Sequence, residues 1–143
     1  MDIVLDQTLR ARILTTAADT DGRHDLVDAT MSAGASTPLH LHTRYEERLW
    51  VLEGSLTATV DTETRVLTSG EFLYVPFRTP HALTAGPDGG RALLVTSPAG
   101  FAELLTRTGT PAHLATSETE LDLALFAHVS EELGDQLLTP PKA

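Results

Sequence analysis

Short strand-like segments separated by turn residues run from about residue 9 to residue 97. They are rich in β-branched and other apolar residues, and glycine and proline are concentrated at their boundaries. Asp21-Gly22 is a hairpin-turn signal, Glu53-Gly54 closes the fourth segment, and residues 86–90 separate the last two. About nine such strands are typical of an all-β jelly-roll barrel. The predicted strands are 9–16, 23–32, 37–42, 47–52, 55–60, 65–68, 72–75, 82–85 and 91–96.

The pattern changes to helical after residue 97. Residues 101–109 are predicted as a short helix with Gly109 as its C-terminal stop. Ser117 followed by Glu120 is a capping-box signature, so we predict a second helix from there to Gly134. We expect both helices to pack on the barrel or across its mouth. The residues predicted to share the apolar, packed side of the second helix are Leu121, Leu125, His128 and Val129.

Length and composition predict a single domain over residues 1–143, with the barrel at about 9–97 and the helical segment at about 98–138. The net charge of −10 argues against nucleic acid or an anionic membrane as a partner. The chain has no cysteine, and neither a signal-peptide pattern nor a run of about 20 apolar residues is found. These features predict a cytoplasmic protein with no nucleic-acid or membrane partner.

Two histidines, His40 and His42, lie two residues apart in a predicted strand, and Glu47 follows five residues later. Because side chains alternate between the two faces of a strand, both imidazoles point the same way, with their Cα atoms about 6.6 Å apart. Imidazole together with carboxylate suits first-row metals such as Fe, Mn, Co, Ni, Cu and Zn. A bare H-x-H pattern is also common on exposed strands, and Glu46-Glu47 also fits a solvated pair.

The segment 34–54 resembles the first motif of the cupin superfamily, G-x5-H-x-H-x(3,4)-E-x6-G. Gly34, His40, His42, Glu47 and Gly54 match every defined position when the longer spacer is used. The resemblance implies a double-stranded β-helix, which is the jelly-roll barrel of the cupins.

The segment 70–85 resembles the second cupin motif, G-x5-P-x-G-x2-H-x3-N. Gly70, Pro76 and His81 match it, whereas Arg78 stands in place of glycine and Ala85 in place of asparagine. The arginine implies a turn that needs no positive φ at this position, and it would place a cation near the site.

The resemblance implies one divalent transition metal per chain, held by His40, His42, Glu47 and His81. The candidate ions are Fe, Ni, Mn, Co, Cu and Zn. Glu46 is the competing acidic ligand under the shorter spacer, but the six-residue distance to Gly54 favours Glu47. Three imidazoles and one carboxylate leave about two positions open for a substrate oxygen and dioxygen.

The run S-P-A-G-F after the last strand resembles small single-domain cupins of the bacterial quercetin 2,3-dioxygenase type. Such enzymes bind a flavonol through its 3-hydroxyl oxygen, the glutamate takes the proton, and oxygen cleaves the heterocycle with loss of carbon monoxide. The resemblance implies a metal-dependent dioxygenase that acts on an aromatic, flavonol-like or polyketide-like enol, with Glu47 as catalytic base. Two other classes stay open: a Lewis-acid isomerase, cyclase or decarboxylase, and a non-catalytic cupin that binds a small molecule.

Apolar residues near Glu47 are candidates for the wall of a substrate pocket. Leu49 and Val51 share the face of Glu47 by alternation, and Phe72 or Leu73 would add to the rim. We expect Trp50 to point away from Glu47, towards a subunit interface, and an open barrel edge needs cover, so a homodimer is predicted. The candidate pocket residues are Leu49, Val51, Phe72, Phe77 and Arg78.

Overall fold

A computed structural model describes residues 1–139 of the chain. Within these residues the chain forms strands and helices in the order expected for a barrel followed by a helical segment. The strands are β1 (Asp2–Val4), β2 (Leu9–Thr15), β3 (Asp25–Met31), β4 (His40–His42), β5 (Glu46–Val60), β6 (Glu63–Thr68), β7 (Phe72–Val75), β8 (His81–Ser97), β9 (Thr110–Pro111) and β10 (Asp135–Leu137). The α-helices are α1 (Ala17–Thr20), α2 (Phe101–Thr108) and α3 (Leu123–Glu132), and a 3-10 turn covers Ala112–Leu114.

All strand pairs are antiparallel, and two long strands lie at the centre of the sheet. β8 pairs with β3, β4 and β5, and β5 also pairs with β6 and β7. The order β10-β4-β8-β3-β2-β1-β9 describes the rest of the sheet. The predicted jelly-roll barrel is confirmed.

β5 is one strand where the sequence predicted two. Its register with β8 shifts between Val51 and Glu53 and again between Gly54 and Leu56, so the strand bends without reversing. Gly54 has φ +66°, and a Cβ atom there would collide with the carbonyl oxygen of Gly89. The prediction of a turn at Glu53-Gly54 is therefore wrong, because this glycine permits a bulge and a close approach of two backbones.

β8 likewise continues through residues 86–90, which were predicted as a separating turn. The first hairpin is closer to its prediction. The turn between β2 and β3 contains the short helix α1, which ends at Asp21 in the left-handed region with φ 55°. Asp21-Gly22 therefore does mark the reversal, although a helical turn precedes it.

The core follows the alternation of the strands. Buried side chains alternate with more exposed ones from Asp25 to Ala29 in β3 and on both sides of the bulge in β5. Val27, Leu49 and Val51 are almost completely excluded from solvent. Leu67 and Leu105 add to the same hydrophobic cluster from β6 and α2. The amphipathic pattern of the strands thus specifies which face of the sheet becomes the interior of the barrel.

Helix α2 ends at Gly109 as predicted, with the Gly109 N–H donating to the carbonyl of Leu105. Helix α3 begins later than predicted, because the side chain of Asp122 caps it by accepting from the N–H of Leu125 at 3.0 Å. The predicted capping box at Ser117 is wrong: the preceding segment is a turn in which Thr116 N–H donates to the hydroxyl of Thr119.

The predicted apolar side of α3 is only partly correct. Val129 is buried, whereas Leu125 is 39% exposed. His128 is exposed, and its Nε2 atom lies 2.8 Å from Oε1 of Glu132, one helical turn away. Its predicted place at a packing interface is therefore wrong. No helix within residues 1–139 combines the length and the apolar character that crossing a bilayer requires.

A buried carboxylate ties the start of α2 to the barrel. Asp25, at the start of β3, is 1% exposed. One of its oxygens accepts from the N–H and the hydroxyl of Thr96, and the other accepts from the N–H groups of Gly100 and Ala102 at 3.1 and 2.9 Å. This carboxylate therefore connects β3, β8 and the first turn of α2.

We predict that Asp25→Asn lowers the free energy of unfolding by about 3 kcal/mol, because an amide presents an NH2 group to donors that need an acceptor. Denaturant unfolding measures the loss. Asp61→Asn is the matched control at an exposed position with φ 53°, which asparagine tolerates, and it should change stability by no more than about 0.5 kcal/mol. Equal unfolding midpoints for the two variants would contradict the structural role of Asp25.

Candidate metal centre

The three histidines of the two motifs meet at one place. His40 and His42 lie on the same side of β4, as alternation predicts, and β8 begins at His81, which pairs directly with His40. The ring centroids are 4.2 to 4.9 Å apart, and one nitrogen from each ring lies within 4.8 Å of the other two. Three imidazoles at this separation fit around a single ion.

Backbone carbonyls fix the orientation of two of these rings. The Nδ1 atom of His40 lies 2.7 Å from the carbonyl oxygen of Pro38, and that of His81 lies 2.8 Å from the carbonyl oxygen of Thr79. A carbonyl oxygen can only accept, so each Nδ1 carries the proton and donates it. In the neutral form of each ring, the lone pair is therefore on Nε2.

His42 is fixed in the same way by a side chain. Its Nδ1 lies 2.7 Å from a carboxylate oxygen of Asp135. The Nε2 atoms of His42 and His81 are buried and have no hydrogen-bond partner. Buried polar atoms without a partner are costly, so two of them on converging rings fit a site that a metal completes.

Glu47 lies beside this cluster, on β5. It is 4% exposed, and its Oε2 atom lies 3.5 Å from Nε2 of His81. Burial alone would raise the pKa of this carboxyl, but the adjacent ring of His81, together with the charge that His42, His81 and His40 carry when protonated, lowers it below its ordinary value. The carboxylate is therefore available in its ionised form, either to bind a cation or to accept a proton.

The same surroundings shift the pKa values of His40 and His81 in opposite directions. Burial, followed by the charges of His81 and His42, lowers the pKa of His40 to about 3. Burial would also lower the pKa of His81, but the neighbouring Glu47 carboxylate raises it. Since a metal ligand must present a lone pair, the neutral state of His40 suits ligation.

Glu46 lies on the opposite face of β5. One of its carboxylate oxygens accepts from the hydroxyl of Tyr74 and the other from the guanidinium of Arg48. The Tyr74 hydroxyl, followed by Arg48, holds the pKa of Glu46 below its ordinary value. Of the two adjacent acidic residues, the structure brings only Glu47 to the imidazole cluster.

The cluster forms the polar end of a cavity of about 350 Å³. Most of the remaining wall is apolar, and helices α2 and α3 with the loop between them contribute to it. Neither lysine nor arginine is found among the lining residues that the structure describes. The larger apolar residues on the wall are Leu5, Leu9, Met31, Leu49, Leu56, Leu83, Leu94, Phe101, Leu104, Leu105, Leu121, Phe126 and Leu137.

The structure places the predicted pocket residues in different surroundings. Leu49 lines the cavity, whereas Val51 is buried in the core and does not line it. Phe72 and Phe77 are more than a third exposed and lie outside the cavity wall, so their predicted place in the pocket is wrong. Phe72 points outward because side chains alternate along β7, and its neighbour Leu73 is the one that is buried.

Arg78 is exposed and does not line the cavity, and its backbone has φ 60°. The expectation that this turn needs no positive φ, and that the arginine places a cation at the site, is therefore wrong. The backbone N–H of Arg78 donates to the carbonyl of His42 at 2.8 Å, which secures the turn against β4. Arginine thus takes the left-handed conformation that glycine adopts more easily at this position.

Sequence reasoning assigned no role to two residues that contact His42. The Tyr45 ring stacks on the His42 imidazole with centroids 4.3 Å apart, and Tyr45 is 2% exposed. Asp135 was missed entirely, because its three-residue strand carries no clear local pattern. Trp50 is half exposed and points away from Glu47, as predicted.

Comparison with known proteins agrees with this geometry. A family model described as "Cupin domain" matches residues 27–96. The chain is 29% identical over 101 residues to quercetin 2,3-dioxygenase of Bacillus subtilis. The aligned stretch covers 71% of this chain and 30% of that enzyme. It is 34% identical over 61 residues to an uncharacterised protein of Methanocaldococcus jannaschii, which covers 43% of this chain and 49% of that protein. The chain thus spans less than half the length of these curated relatives.

Solved structures show the same fold. An RmlC-like cupin from Shewanella frigidimarina has a TM-score of 0.62 and 26% identity, covering 69% of this chain and 84% of that one. KdgF from Halomonas sp. has a TM-score of 0.65 and 18% identity, and the match covers 72% of this chain and 90% of KdgF. Ectoine synthase from P. lautus has a TM-score of 0.63 and 22% identity, covering 99% and 84%. The two sequence motifs, the barrel and these matches together identify a cupin domain, matched over residues 27–96 of this chain.

Proposed function

We propose that this chain is a metal-dependent dioxygenase that acts on a neutral aromatic, flavonol-like or polyketide-like enol. One observation carries the proposal: three imidazole nitrogens and an ionised carboxylate converge at the polar end of an apolar cavity. Imidazole and carboxylate ligands are typical of catalytic sites for first-row metals. The likeness to quercetin 2,3-dioxygenase supports the substrate class, although it extends over only 30% of that enzyme.

In this proposal His40, His42 and His81 hold one divalent transition metal through Nε2, and Glu47 is the fourth donor. The assignment is supported by the Nδ1 atoms, which are already engaged by Pro38, Asp135 and Thr79. A metal bound here would supply Lewis acidity towards an enol oxygen and, if it is redox-active, a route for electrons to dioxygen.

Glu47 is proposed to accept the proton of the enol hydroxyl. Its carboxylate is buried next to the imidazoles and has a lowered pKa, so it starts the reaction ionised. The proton would move to a carboxylate oxygen that lies at the polar end of the cavity. A base positioned in this way typically contributes about 10²- to 10⁴-fold to the rate.

The cavity supports a neutral, largely apolar substrate. Its volume of about 350 Å³ lies within the range of small-molecule pockets. Because its described wall carries no lysine or arginine, a substrate with several negative charges would lose its hydration without gaining an ion pair. Phe101 from α2 and Phe126 from α3 line the wall and would keep water away from a bound aromatic ring.

We predict that purified wild-type protein binds close to one transition-metal ion per chain and that His81→Ala loses it. Elemental analysis after dialysis measures the content. Glu46→Ala is the matched control, since this carboxylate lies on the outer face of β5, and it should retain the metal. Equal metal content in the two variants would show the ligand assignment to be wrong.

We predict that metal-loaded Glu47→Gln keeps part of its metal but loses at least about 100-fold in turnover, because an amide cannot take the enol proton. Oxygen uptake with a flavonol, recorded with product analysis for carbon monoxide, measures the activity. Full turnover in Glu47→Gln would reject the role of the base. Turnover of an enol by the wild type without oxygen uptake would replace the dioxygenase with a Lewis-acid enzyme.

The homodimer expected from the sequence stays a prediction. Its candidate surface is the outer face of β5 and β7, where Trp50 and Phe72 are exposed with ring centroids 6.2 Å apart. We predict that wild-type protein scatters light as a dimer and that Trp50→Glu shifts it to the monomer mass. Phe77→Ser, at an exposed position in a turn, is the control and should stay dimeric. A monomeric wild type would contradict the prediction.

A further inference from the structure

The strand that carries two of the candidate ligands obtains its backbone partners mainly from the C-terminal segment. β4 pairs with β8 at a single position, His40 with His81. It pairs with β10 along its whole length, with Asp135 opposite His42 and Leu137 opposite His40. The orientation of β4, and of the imidazoles on it, therefore depends on β10.

Hydrogen bonds at both ends extend this contact. The N–H of Thr43 donates to the carbonyl of Gly134 at 3.1 Å, and the N–H of Leu138 donates to the carbonyl of Leu39 at 2.8 Å. The guanidinium of Arg44 donates to the carbonyl of Glu132 at 2.9 Å. The end of α3 and all of β10 are thus held against the segment that contains His40 and His42.

Within this contact, Asp135 makes a buried hydrogen bond to the ring of His42. The two side chains are only 3% and 6% exposed, and the Nδ1–Oδ1 distance is 2.7 Å. A carboxylate so deeply buried needs a donor, and His42 is the partner that the structure shows. The bond places the proton on Nδ1 and turns Nε2 towards the other two imidazoles.

This arrangement distinguishes His42 from the other two histidines. His40 and His81 donate to carbonyl oxygens two residues earlier in their own segments. His42 instead donates to a carboxyl side chain that lies 93 residues further along the chain. A carboxylate behind a ligating imidazole fixes its tautomer and makes it a stronger donor, which a neutral carbonyl does less well.

We propose that Asp135 is a positioning residue of the metal centre, which orients His42 and increases the affinity of the site for its ion. The C-terminal strand β10 is then part of the site as well as part of the sheet. The inference rests on the proposed function, because it assumes that His42 is a metal ligand.

Chelator competition with Co²⁺ and Zn²⁺ tests the effect on affinity. Asp135→Ala should bind each ion about 10- to 100-fold more weakly than the wild type. Asp135→Asn should lose less, because its amide oxygen still accepts the proton of Nδ1 without supplying a charge. Gln136→Ala is the matched control, an exposed neighbour on the same strand that should keep wild-type affinity. Equal affinities for Asp135→Ala and Gln136→Ala would overturn the proposal.

A second readout in metal-free protein separates this role from plain stabilisation. Nitrogen-15 NMR of the His42 ring should show the Nδ1–H tautomer in the wild type and in Gln136→Ala, and a shift towards Nε2–H in Asp135→Ala. An unchanged tautomer in Asp135→Ala overturns the orienting role. If the wild type binds neither ion, the proposed function and the affinity effect both fail. If the wild type binds and Asp135→Ala binds equally well, only the inference about Asp135 fails.

Discussion

The antiparallel pairing of β5 with β8 is the constraint on which the rest of the barrel depends. β8 also pairs with β3 and β4, and β5 also pairs with β6 and β7, so four of the other eight strands within residues 1–139 are attached directly to one of the two. The same pairing positions the site. It fixes Glu47 opposite Thr96 near one end of the register and His81 opposite Val60 near the other. Bulges near Gly54 bend the pair, and a bent pair can bring its two ends to a common interior.

The interior combines two kinds of surface with different physical tasks. At one end, hydrogen bonds to Pro38, Thr79 and Asp135 orient three imidazole rings so that their Nε2 atoms converge. Because these rings are already oriented, binding of an ion would require little further ordering of their side chains. Elsewhere most of the described wall is apolar, and its residues include no lysine or arginine. A ligand that fits this interior needs a polar atom at one end and a largely uncharged body, which is the basis for favouring an enol.

Alternation and motif spacing predicted which candidate side chains the structure brings together where these are close in sequence. They placed His40 and His42 on one face, chose Glu47 over Glu46, and identified His81 at the start of its strand. They failed where glycine has two uses, because the residues around Gly54 and 86–90 fit a turn and a bulge equally well. They also failed for Asp135, since a partner 93 residues away leaves no local periodicity to detect. Phe72 points outward because of the register of β7. The sequence alone did not decide whether Phe72 or Leu73 faces the interior.

The helices close the cavity from outside the region that carries the metal motifs. The matched cupin region ends at residue 96, before α2 begins, yet Phe101, Leu121 and Phe126 line the cavity. Substitutions in this later segment can therefore alter which molecules fit while the ligand-bearing strands stay as they are. Cavity shape and ligand geometry are therefore set by different parts of the chain, except at Asp135, where the later segment contacts the ring of His42.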